Sequence, residues 1–273
     1  MASPSKRFER LPFPQMRRPS IDAGRLSRNR HIVHGLLELD VTPVVQWIDR
    51  HEEETGEKYS FTAYIIYCLG QAIAKHSQLH AYLNWRRQLV VFEDVNVVTM
   101  VEVPLDGIKV PVPHLLKGVN HSNLREIHAE IRKAQHDPQS VMVVGKLRSF
   151  YRLPGVMRRF LSRMVLRLPT WFRKYSSSVL VTSLGMFGRQ AGWGIPRSTF
   201  TLTVTLGGIS KKPWLVDDQI TARDILHLTL SIDHDVVDGA PAARFSQDLA
   251  QLIQHLPEDD HLLEKAMTSS VAR

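Results

Sequence analysis

Three runs in the second half of the chain constrain the fold most: SVLVTSLGMFG, STFTLTVTLGGI and ILHLTLSID, spanning residues 178–188, 198–209 and 225–233. Each is rich in β-branched residues and bounded by glycines or polar residues, which marks strands rather than helices. Upstream lies FTAYIIYCLGQAIAKH, apolar nearly all round at helical spacing and therefore a central, buried helix. A fully apolar helix beside a set of strands needs a sheet to cover it. With several helices and roughly seven strands in one 250-residue unit, the expectation is a single α/β or α+β domain.

The remaining elements fit that outline. HIVHGLLELDV reads as a strand. Thr42 followed by Pro43 reads as an N-cap and first helical residue, opening a helix that runs to about Thr55 and stops at Gly56. Ser60 or Thr62 starts the central helix. LVVFEDVNVVTMVEV holds two apolar runs, and LDGIKVPVPHLL follows with Asp106-Gly107 as a hairpin-type turn. Asn120 to Gln135 reads as a surface helix, and Asp238 to about His255 as a closing one. Residues 1–30 are basic and contain Pro12, Pro14 and Pro19, which argue against a helix there. Residues 257–273 read as a loose tail.

Composition sets exclusions. With 43% apolar residues the chain is not largely disordered. The one cysteine, Cys68, can form neither an intrachain disulfide nor a cysteine zinc site, and sits in an apolar helix as a core residue. A cytoplasmic setting is the expectation; the N-terminus has no signal-peptide pattern and no run is long enough to span a membrane. Net charge is +8, yet nine basic residues and no acidic one fall between Lys146 and Lys174, so the rest of the chain is near neutral. That is not the spread of charge of a nucleic-acid binder, and no nucleic-acid partner is expected. His76 and His80 have helical i, i+4 spacing but no third ligand nearby, and no metal is expected. Neither a P-loop nor a dinucleotide glycine pattern is present.

SIDHDVVDGAPAARF is the run that could carry chemistry. A strand ends in His234, and Asp238-Gly239 opens a helix. A histidine where a rigid strand becomes a loop can act as a general base near neutral pH. On spacing alone, a surface histidine beside a helix-capping aspartate is an equal reading.

LSIDHDVVDGAPAARF closely resembles the C-terminal signature of the catalytic domain of dihydrolipoyl acyltransferases, the core subunits of 2-oxo acid dehydrogenase complexes, whose fold is that of chloramphenicol acetyltransferase. LELDVT, SFTAYIIYCLGQAIAKHSQLHAYL, LVVFEDVNVVTMVE, GIKVPVPHLL, VLVTSLGMFG and LGGISKKPWLVDDQI are similar to the family's elements in order and spacing. The resemblance implies a chloramphenicol acetyltransferase-like mixed-sheet α/β sandwich with helices, trimeric, with active sites between subunits. It divides the chain into a basic arm (1–16), an acyltransferase catalytic domain (17–256) and the tail (257–273). It implies an acyltransferase that moves an acyl group between coenzyme A, as acyl-CoA substrate, and a thiol, hydroxyl or amine acceptor. In it His234 is the general base. Thr182 is the hydroxyl that hydrogen-bonds the oxyanion. Asp238 is structural, in an ion pair with Arg18, with Arg17 close behind.

The chain departs from the family in three places. Asp235 follows the histidine where arginine is common. No lipoyl or subunit-binding domain is expected ahead of the core, and a lipoyl group is expected only in trans, on another chain. Residues 143–175 read as an insertion, with an amphipathic basic helix in YRLPGVMRRFLSRMVLRLPTWF that ends at Pro169. Its apolar face is expected to pack on the protein's own core with Arg158, Arg159, Arg163 and Arg167 in solvent. The second reading is a peripheral membrane contact through 153–172, and the third an arginine field for coenzyme A phosphates. Two other functions stay open: a non-catalytic oligomeric scaffold of the same fold, and a complex core served by lipoyl domains on another chain.

Overall fold

The structure, a computed structural model, describes residues 18–105, 108–137, 153–184 and 191–256. Six strands form one mixed sheet: β1 (Ile32–Asp40), β4 (Val97–Leu105), β5 (Ile108–Leu116), β6 (Val179–Ser183), β7 (Leu202–Val216) and β8 (Gln219–Asp233). Their order is β1-β8-β7-β6-β4-β5. β6 runs parallel to β4 and β7, and every other pair is antiparallel. A small second sheet pairs β2 (Tyr82–Leu83) with β3 (Leu89–Val90). This is the mixed α/β architecture expected from the sequence.

The two central strands show why their runs are rich in both aliphatic and hydroxyl residues. Successive side chains point to opposite faces. Leu202, Val204 and Leu206 of β7 and Leu226, Leu228 and Leu230 of β8 enter the main core. Thr203, Thr205, Thr229 and Ser231 line the other face, and they too are buried. Segment 191–200 lies against that face: Trp193 donates its indole N–H to the Leu37 carbonyl at 3.2 Å, and its ring meets His227 edge-on at 4.6 Å.

Helices α2 (Thr42–Thr55), α3 (Phe61–Lys75), α4 (Leu124–His136) and α7 (Gly239–Gln254) supply the aliphatic layer. α3 is central, as its all-round apolar pattern requires. The Ser60 hydroxyl caps its start, and Tyr64 donates to the Leu252 and Ile253 carbonyls at the end of α7. Cys68 is buried within it, and burial pushes its thiol up to about 12. α2 stops at Gly56, whose φ of 74° is the left-handed conformation expected of a helix stop. Asn123 and Glu126 close a reciprocal capping box on α4.

Three sequence expectations are corrected. Residues 18–26 are helical (α1, Arg18–Leu26) despite Pro19, because proline at the second residue lies in the first turn, where its missing N–H has no partner to lose. Thr42 does not cap α2 with its side chain. Its N–H is bound by Asp40 at 3.0 Å, while its hydroxyl accepts from Asp224 N–H at 2.8 Å, tying α2 to β8. The basic element is two helices, α5 (Gly155–Arg167) and α6 (Pro169–Tyr175), with Pro169 opening the second.

The orientation of α5 departs from the expectation in part, with Leu161, Met164 and Val165 half-buried as expected. Val156 and Phe160 face outward, 71% and 60% exposed, with Met157 beside them. Arg158 is buried instead, and both its Nε and Nη2 reach Asp22 of α1, at 3.1 and 2.9 Å. A charged group goes inward here because α1 supplies a carboxylate to meet it, which the sequence of α5 alone cannot reveal. Arg173 of α6 likewise meets Asp94. The arm 1–16, the Asp106-Gly107 turn, residues 143–152 of the insertion and the tail 257–273 lie outside the described residues.

Candidate active site

β8 ends at Asp233, and the chain turns there to enter α7 at Gly239. Asp233 organises that turn. Its side chain is 1% exposed and accepts the Arg30 guanidinium. The same carboxylate accepts the Asp235 N–H at 3.2 Å. Its backbone carbonyl takes the N–H groups of Val236 and Val237 at 3.0 and 3.1 Å. Its own N–H goes to the Thr201 carbonyl at 2.9 Å. With the strand end pinned this way, His234 is held through its backbone, donating to the His31 carbonyl at 2.8 Å. Its imidazole is exposed and has no hydrogen-bond partner among the described residues.

Asp235 does not stand free beside that imidazole. It pairs with His31 Nδ1 at 2.8 Å. The hydrogen bond, with the charge behind it, raises the His31 pKa above its ordinary value. The two acidic neighbours of His234 are thus each committed to a cation that precedes β1. Nothing in the sequence ties Arg30 or His31 to this turn. Arg30 is one of many arginines near the N-terminus and lies 203 residues from its partner, so no local spacing marks it.

Thr182 lies in β6 opposite Thr205, and Thr205 lies opposite Thr229 of β8. Val179 and Val181 point into the core, so Thr182 faces the hydroxyl-lined side. The Thr205 and Thr229 hydroxyls are buried there without a partner among the described residues. From that row to Asp233 is four residues along β8, roughly 13 Å at 3.3 Å per residue, and two strands across, roughly 10 Å. The backbones of Thr182 and Asp233 are therefore roughly 16 Å apart, beyond what a histidine and a threonine side chain can span. One protomer does not bring the two together.

Asp238 is exposed at the start of α7, makes no side-chain cap, and has no ion-pair partner among the described residues. The Arg18 side chain lies outside the described residues. The ion pair that fixes the histidine turn within the described structure is Arg30–Asp233. Among the described residues no group of three His, Cys, Asp or Glu side chains could hold a metal; His76 pairs with Asp248 at 2.6 Å, and burial lowers His80 to about 4.

The chain matches the family of 2-oxoacid dehydrogenases acyltransferase (catalytic domain) over residues 5–140 and 175–259. It is 26% identical over 73% of its length to the dihydrolipoyllysine-residue acetyltransferase component of the pyruvate dehydrogenase complex of Mycoplasma pneumoniae, covering 42% of that protein. The chain spans about half or less of the length of the curated relatives it matches. Among solved structures it is similar to a probable dihydrolipoamide acetyltransferase from Listeria monocytogenes, with TM-score 0.68 and 19% identity over 94% of this chain and 98% of that one. A truncated catalytic core of the 2-oxoacid dehydrogenase multienzyme complex from Thermoplasma acidophilum gives 0.64 and 21% over 90% and 98%. These structures share the fold.

Proposed function

Because the chain belongs to the 2-oxoacid dehydrogenase acyltransferase catalytic-domain family, we propose that it transfers an acyl group between coenzyme A and a thiol, hydroxyl or amine acceptor. His234 is the general base. Its free, exposed imidazole on a turn pinned by Asp233 is the observation that carries the reading. His234 takes the proton from the attacking acceptor as that atom adds to the thioester carbonyl. The carbonyl oxygen becomes an oxyanion, and Thr182 donates its O–H to it. When the tetrahedral intermediate collapses, the thiolate of coenzyme A leaves and recovers the proton from His234.

The backbone of Thr182 lies roughly 16 Å from that of Asp233, the residue before His234, within one chain, so the Thr182 that serves a given His234 belongs to a second protomer. A homotrimer with sites between subunits meets that need. A lipoyl group on another chain is the thiol acceptor of this scheme, and a cytoplasmic setting accompanies it. The test is thioester exchange between an acyl-CoA and a surrogate dithiol. His234→Ala is expected to lower turnover by about 10²- to 10⁴-fold with the oligomer intact. Full activity in that variant would overturn the assignment, and absence of exchange in the wild type with every thioester tried would favour a non-catalytic scaffold.

The outward Val156, Met157 and Phe160 favour one further reading, a peripheral contact of 153–172 with an anionic bilayer. Sedimentation with anionic vesicles tests it, and binding should fall in Phe160→Ser. Arg158 is not part of any phosphate site, since Asp22 already holds it in the interior.

A further inference from the structure

At the end of the sheet where β8 delivers His234 lies a cleft of about 590 Å³, within the range of small-molecule sites. Its walls come from both the family fold and the insertion. Tyr82 and Phe200 belong to the part that matches the family, whereas Leu161, Trp171 and Phe172 lie in the stretch between the two matched segments. Tyr175 also lines it.

Two observations point to an occupant. The first is the aromatic wall. Tyr82 and Phe172 stack at 4.1 Å with 19° between their planes, and Trp171 and Tyr175 stand edge-to-face at 6.3 Å, both partly exposed. Such surfaces favour a flat ring over an aliphatic chain, because ring pairs gain from stacking beyond the area they bury. The second is Tyr82 itself. It is 5% exposed, yet its hydroxyl has no hydrogen-bond partner among the described residues. Three other hydroxyls of residues lining the cleft are satisfied: Ser177 donates to the Asn96 carbonyl, Ser178 to His80 and Thr201 to Ala81. A buried hydroxyl left alone costs free energy that a matching ligand atom recovers.

The cleft is also joined to the histidine turn. Arg30 and Thr201 both line it, and both bind Asp233, one through the carboxylate and the other through the backbone N–H. A ligand seated there would touch residues that hold Asp233, the residue before His234.

We propose that this cleft binds the aromatic ring of an acyl group, and that the ring carries a hydroxyl that pairs with Tyr82. Only the word acyl rests on the acyl-transfer reading; the ring site stands on the cleft itself. Binding to the full chain is measured by calorimetry with cinnamate, its 2-, 3- and 4-hydroxy isomers, and octanoate. At least one hydroxylated isomer should bind about 3- to 10-fold more tightly than cinnamate, the worth of one neutral hydrogen bond. Octanoate should bind more weakly than either. Tyr82→Phe keeps the stacked ring and should erase the preference for the hydroxyl while leaving cinnamate unchanged. Trp171→Ala, at a partly exposed position, should weaken all ring ligands. His234→Ala should alter none of these affinities. No ring ligand binding below about 1 mM, octanoate binding as well as cinnamate, or a hydroxyl preference that survives Tyr82→Phe would each overturn the proposal. Loss of acyl transfer with ring binding intact would count against the proposed activity and leave the cleft standing.

Discussion

Arg30 and Asp233 stand 203 residues apart and form an ion pair at the base of the turn that carries His234. The aspartate is almost wholly buried while the arginine keeps some exposure. One strand end is thereby clamped to the residue pair that precedes β1, and the exposed histidine inherits a fixed backbone.

Breaking that clamp should cost stability and turnover together. Arg30→Ala leaves a buried carboxylate without its cation, at about 3 kcal/mol. Asp233→Ala should cost a similar amount and also frees the Asp235 N–H. Chemical denaturation of the two single variants and the double variant should show a coupling of at least about 1 kcal/mol. Simple additivity would mean that the pair is not energetically joined.

The His31–Asp235 contact sets a pH dependence. The folded-state pKa of His31 is raised by its carboxylate partner. The contact therefore stabilises the fold fully below the ordinary histidine value of about 6.5. That contribution is lost as pH rises through the higher folded value. In an NMR titration His31 should lose its proton at higher pH than an unpaired exposed histidine, and Asp235→Asn should lower that midpoint. The stability gap between wild type and Asp235→Asn should be open at acidic pH and close on the alkaline side. A gap that widens with pH would contradict the pairing.

The Asp22–Arg158 pair holds the insertion to α1, with both side chains largely buried. Asp22→Ala should cost about 3 kcal/mol by stranding the guanidinium, and amide exchange in α5 should quicken. Phe160→Ser, on the outward face of the same helix, should change stability by no more than about 0.5 kcal/mol. A large loss from Phe160→Ser would show that another protomer covers that face in solution.

The sequence carried the fold wherever the signal was local. The β-branched runs, the all-round apolar α3 and the Gly56 stop each depend on neighbours a few residues away, and each is where the pattern put it. The turn after β8 was legible for the same reason, since His234 and Asp238-Gly239 sit together in the chain. The Arg30–Asp233 clamp was not, because no spacing connects positions on opposite sides of the domain. Amphipathic spacing found α5 and its half-buried Leu161, Met164 and Val165, but not the outward Val156, Met157 and Phe160 or the buried Arg158. Periodicity says that two faces differ, not which one meets a buried carboxylate. Pro19 misled by type rather than position, as a proline in the first helical turn costs little.

Gly207 offers the sharpest test of how the hydroxyl-lined face is closed. It sits in the β7 irregularity between Leu206 and Ile209, where the pairing with β8 shifts register. A Cβ there would lie 2.0 Å from the Gly192 carbonyl oxygen and 2.8 Å from that of His227. Neither neighbour is a flexible side chain; one belongs to the covering segment 191–200 and the other to β8. Gly207→Ala must therefore push the covering segment away or break the register. The displacement would reach Trp193, which rests on His227 and bonds the Leu37 carbonyl. Overpacking of this kind costs about 1–3 kcal/mol when side chains can shift, and backbone on both sides places this case at or above the upper end. The expected result is a loss of at least about 3 kcal/mol, with Trp193 fluorescence shifted toward that of a solvated indole. Gly192→Ala is the control, since a Cβ at that position meets nothing within 4 Å. Equal tolerance of the two substitutions would mean that segment 191–200 does not lie against the sheet as the structure has it.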